Sequence, residues 1–113
     1  MSGFNDISHK IERFESVESK YGVKLKSESA KVASECDDDG DYKFSWAVEV
    51  FAEDFEIHQD LRLIVTTYSY DDRILKNETD YILCENFEIS EIFSGEEWLS
   101  ERPGKIRMMI KRG

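Results

Sequence analysis

Lys43-Phe44-Ser45-Trp46-Ala47-Val48-Glu49-Val50 decides the fold class. Phe44, Trp46, Val48 and Val50 fall on every second residue, with Lys43, Ser45, Ala47 and Glu49 between them. Successive side chains of an extended chain point to opposite faces, so this stretch reads as a strand with one face in a core and the other wet or lightly covered. Just upstream lies Asp37-Asp38-Asp39-Gly40-Asp41, whose Asp-Gly pair is a strong hairpin signal because glycine accepts positive φ. Before that turn, Val23 and Leu25 alternate with Lys24 and Lys26, and Ala30, Val32 and Ser34 continue the period. One long or bulged strand over 23–36 is expected.

Downstream, Glu53-Asp54-Phe55-Glu56 is a polar connection. Leu61, Leu63, Val65 and Thr67 then alternate with Arg62, Ile64, Thr66 and Tyr68, both sets partly apolar, as for a strand inside a sheet. Asp71-Asp72-Arg73 is a turn, Ile74 and Leu75 begin a short strand, and Asn77-Glu78 reads as another turn. Tyr81 to Cys84 form a strand of mixed faces, and Phe87 and Ile89 continue at period two towards Phe93. Ser94-Gly95-Glu96-Glu97 has the form of a capping box, which predicts a short helix near 95–102 carrying Trp98 and Leu99 and stopped by Pro103-Gly104. Ile106, Met108 and Ile110 alternate with Arg107, Met109 and Lys111 in a C-terminal strand.

At the other end, Ile7, Ile11, Phe14, Val17 and Tyr21 share one helical stripe, with Asn5 or Asp6 as cap and Gly22 as stop. The expected organisation is an N-terminal helical segment, 1–22, and a single β-sandwich domain, 23–113. Ser, His and Val in the middle of the first segment are only fair helix formers, so an extended path stays open there. Six or seven short strands with turn signals every 8–14 residues predict a mainly β chain: an immunoglobulin-like antiparallel β-sandwich. The alternative is an α+β fold, with the N-terminal helix across one curved antiparallel sheet.

The stretch from Tyr42 to Lys111 resembles the small immunoglobulin-like sandwiches of the FxLYD type. The matching pieces are Leu61 to Tyr68, Tyr70-Asp71, the turn Asp72-Arg73, and Leu75; the motif's phenylalanine and leucine fall on Thr67 and Ser69. The resemblance implies a binding or structural module without catalysis and carries no functional residue across.

The chain has 113 residues, 40% of them hydrophobic, enough for one domain with a core of its own. Its formal net charge is −10, unevenly placed. Residues 1–31 carry six Lys and Arg against five acids, residues 32–101 four against 20, and residues 102–113 five and no acid. An acidic field of this size speaks against nucleic acid and anionic lipid as partners and would speed capture of a basic protein. The N-terminus lacks a basic start followed by an apolar run, and no apolar window is long enough to span a membrane, so the expected compartment is the cytoplasm. Cys36 and Cys84 are then expected as free thiols.

The residues offer little catalytic chemistry. His9 and His58 form no zinc-spaced pair, no nucleophile elbow or phosphate-binding glycine loop occurs, and a Cys84–His58 nucleophile pair could be assembled only in space, as in any chain with both residues. No cofactor is implied. Asp37, Asp39 and Asp41 are weak calcium candidates, since hard oxygens in a tight glycine turn suit that ion, although an EF-hand register with Gly40 at position six puts Trp46 where a bidentate Glu is required. The expected partner surface comprises Asp37, Asp38, Asp39, Asp41, Asp71 and Asp72, with Trp98 as an aromatic anchor. The function expected is a non-catalytic protein-interaction or structural module with an acidic face. Alternatives are a small acidic inhibitor or immunity protein binding a basic toxin, and an enzyme of unknown class.

Overall fold

The computed structural model describes residues 3–113; Met1 and Ser2, the start of the expected N-terminal segment, lie outside it. Among the described residues there are eight strands: β1 (Phe4–Asp6), β2 (Ile11–Arg13), β3 (Val23–Ala33), β4 (Tyr42–Ala52), β5 (Leu61–Tyr68), β6 (Ile74–Ile82), β7 (Ser90–Leu99) and β8 (Lys105–Arg112). A 3₁₀ turn at Ser8–Lys10 and one short helix, α1 (Glu15–Lys20), complete the regular structure. The chain is mainly β, with two four-stranded sheets ordered β1-β3-β4-β7 and β2-β8-β5-β6. Every pairing is antiparallel except that of β2 with β8. Two sheets replace the single curved sheet of the α+β alternative, and eight strands replace the six or seven expected.

One core joins the sheets. Phe44, Trp46, Val48 and Val50 of β4 are all buried, as their alternation requires, and meet Leu61, Leu63 and Val65 of β5 and Ile106, Met108 and Ile110 of β8 in one cluster. β5 lies between β8 and β6, which explains its two half-apolar faces. The strand expected over 23–36 is β3, and it is bulged: its register against β4 slips between Lys26 and Ser29, with Ser27 at φ 54°. The turn after it closes as the Asp-Gly pair demands, with Gly40 at φ 83° and the Asp37 N–H donating to the Asp41 carbonyl at 2.8 Å.

Three local expectations fail, each because long-range pairing outweighs a local signal. The 5–21 segment is not one helix. Asp6 accepts the Ser8 N–H (2.9 Å) and hydroxyl (2.6 Å), turning the chain so that β1 extends one sheet and β2 the other; apart from the 3₁₀ turn at Ser8–Lys10, only Glu15–Lys20 is helical. Through β1 and β2 these residues pair with β3 and β8 of the 23–113 stretch. The short helix near 95–102 is absent. Residues 90–99 form β7 and pair with ten consecutive residues of β4, a ladder of bonds against which one capping box is minor. Asn77-Glu78 is not a turn but the middle of β6, held by β5 on one side.

Candidate functional site

Both long free edges lie on one side of the molecule. β6 ends one sheet and β7 the other, and side chains bridge the gap between them. On β7 the side chains alternate by register with β4: Glu91, Phe93, Gly95, Glu97 and Leu99 turn inward, and Ser90, Ile92, Ser94, Glu96 and Trp98 outward. On β6 the inward set is Lys76, Glu78, Asp80 and Ile82, opposite Thr67, Val65, Leu63 and Leu61. Ile82 and Leu99 at the ends of these inward sets join the core and Phe93 packs against it, while Glu78, Asp80, Glu91 and Glu97 put carboxylates along the rest of the rim, with Lys76 among them.

A clasp closes this rim. The buried Trp46 indole lies flat on Gly95; a Cβ there would stand 2.7 Å from the indole nitrogen, so only glycine admits the ring. From that position the Trp46 Nε1–H donates to Glu78 Oε2 at 2.6 Å, tying the β4 sheet to β6 of the other. Lys76 Nζ reaches Glu97 Oε2 at 3.7 Å across the same gap. Burial pushes the Glu78 carboxyl up from 4.5 to about 7; the indole hydrogen bond opposes that shift, and the neighbouring Glu97 and Asp80 carboxylates reinforce it. Glu78 therefore changes charge near neutrality.

Outside the rim the same flank is acidic and apolar together. Residues 76–99 carry seven acids and a single Lys. Of the large hydrophobic side chains left exposed, Tyr81, Leu83, Ile89, Ile92 and Trp98 fall in that stretch, with Ile92 74% and Trp98 52% accessible. The basic residues gather on the far strands: Lys26 over Phe51 and Lys31 over Phe4 on one sheet, Arg107 over Phe14 and Tyr68 on the other. There Arg13 pairs with the buried Glu18 at 2.8 Å and with Glu28 at 3.1 Å, while the Leu25 N–H donates to Glu18 at 3.0 Å. The molecule is polarised, acidic along β6 and β7 and basic along β3 and β8.

The expected acidic tips sit elsewhere. Both emerge where the chain crosses from β7 to β8, and both are largely engaged in local bonds. Asp37 Oδ1 accepts the N–H groups of Asp39 (2.9 Å) and Asp41 (2.8 Å), so this carboxylate builds its own turn while Asp38 and Asp39 face solvent. Asp71 accepts the Ser69 hydroxyl and Arg73 Nε (3.1 Å), and these two bonds hold its carboxyl below the usual range; Lys105 Nζ lies 3.9 Å from Asp72. Arg73 also reaches Glu101 at 2.8 Å, and Arg102 donates to the Ala33 carbonyl at 3.0 Å, placing guanidinium groups at this end. Among the described residues no three His, Cys, Asp or Glu side chains gather in a metal-holding arrangement.

Trp98 is exposed and lies on a strand rather than on the expected helix. Asp60 beside Cys84 raises its thiol, and Glu56 lies 4.0 Å from His58. Among the described residues, no helix is long and apolar enough to cross a membrane. No protein-family model, curated protein or solved structure matches the chain.

Sequence reasoning missed Glu78, Glu97 and the Trp46 clasp. The signal was available at period two, since Glu78, Asp80 and Ile82 form one face and Glu91, Phe93, Gly95, Glu97 and Leu99 another. Reading a turn at 77–78 and a helix start at 94 broke both faces.

Proposed function

We propose that this chain is a non-catalytic protein-interaction module of the immunoglobulin-like sandwich kind, and that it takes a basic protein partner on the β6–β7 flank. The observation that carries the reading is the coincidence of seven acids with five exposed large hydrophobic side chains in residues 76–99, the stretch that forms both long free edges and the connection between them. Carboxylates alone mark a solvated face. Carboxylates around exposed aromatic and aliphatic side chains supply steering and anchoring together, and anchors of this kind dominate the energy of protein interfaces.

The scaffold reading draws on the two four-stranded sheets and on the placing of the FxLYD-like pieces, with Leu61 to Tyr68 as β5, Asp71-Asp72-Arg73 at the following turn and Leu75 in β6. An inhibitor covering the active surface of a basic toxin is the narrower form of the same reading and would use the same flank.

The test is an NMR titration with a nine-residue oligoarginine at low and physiological salt. Amide shifts concentrated in residues 74–99, weakening with salt, are expected. Shifts centred on Asp37 to Asp41, or no binding even at low salt, would overturn the assignment.

A further inference from the structure

The outer edge of β7 is a ten-residue strand that nothing in the described residues pairs with. Its hydrogen-bonding phase follows from one contact. The Ala52 N–H donates to the Ile89 carbonyl at 2.9 Å, and the β4–β7 register continues unbroken from there. Residues opposite each other in an antiparallel ladder alternate between bonded and non-bonded pairs. Glu91, Phe93, Gly95 and Glu97 therefore exchange bonds with β4, whereas Ile92, Ser94, Glu96 and Trp98 direct their N–H and C=O groups to the open side.

The geometry points to β7 as the acceptor of an extended basic segment of the partner, added antiparallel as a fifth strand of its sheet, with Arg or Lys turned inward and apolar residues turned outward. This rests on the proposed function and specifies how that flank is used. The alternation follows from the two faces of β7. An added strand's inward side chains would enter the rim between Glu91 and Glu97 of β7 and Glu78 and Asp80 of β6, where they meet carboxylates. Its outward side chains would lie beside Ile92 and Trp98. Antiparallel addition continues the pattern of a sheet whose pairings are all antiparallel.

A second copy is the less suitable occupant. Two β7 edges paired antiparallel about Ser94 would set Glu91 opposite Glu97 twice and Ile92 opposite Glu96, and like charges directly opposite destabilise a strand pair. Paired about Gly95 the like charges fall out of register and Ile92 meets Trp98, but each copy still brings three acids and no base over Ser90–Leu99, whereas a basic segment brings the opposite sign.

The experiment uses the full chain and three nine-residue peptides that alternate Val and Arg: one unmodified, one N-methylated at its Val residues and one N-methylated at its Arg residues. Residues opposite Ile92, Ser94, Glu96 and Trp98 share their outward face and point their N–H groups at β7, so these are the Val positions. Methylation there removes the donors and clashes with β7; methylation at Arg points to solvent. Binding is read by calorimetry, and hydrogen exchange is read residue by residue on β7.

The expected result is that the unmodified and Arg-methylated peptides bind alike. Binding should slow exchange at Ile92, Ser94, Glu96 and Trp98 at least tenfold, and methylation at Val should weaken binding at least tenfold. Equal binding of all three peptides without that protection would overturn strand addition while leaving capture of a basic partner in place. No binding of any peptide at low salt would overturn both.

Discussion

Replacing Glu78 by Gln tests the clasp where its chemistry is most exposed. Glutamine keeps an oxygen to accept the Trp46 Nε1–H and gains an amide group to donate towards Glu97, so it imitates the protonated acid and cannot ionise. In the folded wild type the Glu78 carboxyl holds its proton up to about 7, against an ordinary 4.5, because burial disfavours the charge. The folded state thus binds this proton more tightly than the unfolded state does. The associated stability is complete below 4.5 and is lost as pH rises through about 7. A fully shielded group would forfeit about 3 kcal/mol over that interval, at about 1.4 kcal/mol per tenfold in proton affinity. The rim is open to water on one side, and screening reduces the figure to about 1–2 kcal/mol.

Urea denaturation of both proteins between pH 4.5 and 8.5 should give curves that coincide at the acid end, diverge progressively from about pH 5 to about pH 7 and keep a constant separation above that. Glu78→Gln should be the more stable by about 1–2 kcal/mol at pH 8. All other groups are common to both proteins, so the difference isolates position 78. Parallel curves across the range, or a variant that is less stable at pH 8, would refute the burial of this carboxyl and the clasp built on it.

Gly95→Ala places a Cβ 2.7 Å from the Trp46 indole nitrogen and should cost about 2–3 kcal/mol, with the indole N–H resonance shifted as its bond to Glu78 breaks. An unchanged indole signal would contradict the stacking. Arg13→Ala strips the buried Glu18 of its charged partner and should cost about 3 kcal/mol in urea denaturation, since the stranded carboxylate keeps only the Leu25 N–H; a loss under about 1 kcal/mol would show that water reaches Glu18. Binding of a basic peptide on the flank should release a fraction of a proton near pH 7, because a cation in the rim favours ionised Glu78. Calorimetry in buffers of different ionisation enthalpy measures that release, and Glu78→Gln should abolish it.

Much of the sheet architecture was legible because apolar period two is a direct imprint of burial on one face. Phe44 to Val50 alternates and became a strand with the expected inner face, and Leu61 to Thr67 and Ile106 to Ile110, each with one apolar residue on the other face (Ile64, Met109), became strands as well. β6 and β7 were hidden because their inward positions are Lys76, Glu78, Asp80, Glu91, Gly95 and Glu97, so hydrophobicity could not mark them. The same charges that concealed the two strands make their flank the candidate site. Asp37 to Asp41 drew attention instead because a run of acids stands out along a sequence, although Asp37 serves its own turn. The N-terminal stripe failed for a related reason. Ile7, Ile11 and Phe14 do approach the protein interior, but through strand pairing on either side of a turn at Ser8 to Lys10 that local periodicity cannot register.

The central claim is that the β6–β7 flank, and not the acidic hairpin tip, meets the partner. Two double variants with the same change in net charge separate the surfaces: Glu91→Gln with Glu96→Gln on β7, and Asp38→Asn with Asp39→Asn on the tip, both pairs exposed to solvent. Their affinities for the unmodified Val/Arg peptide should be measured at the same ionic strength, about 0.15 M, where the Debye length of about 8 Å keeps the two surfaces electrostatically separate. The account predicts at least a tenfold loss for the β7 pair and less than twofold for the tip pair. Equal losses, or a larger loss at the tip, would contradict it.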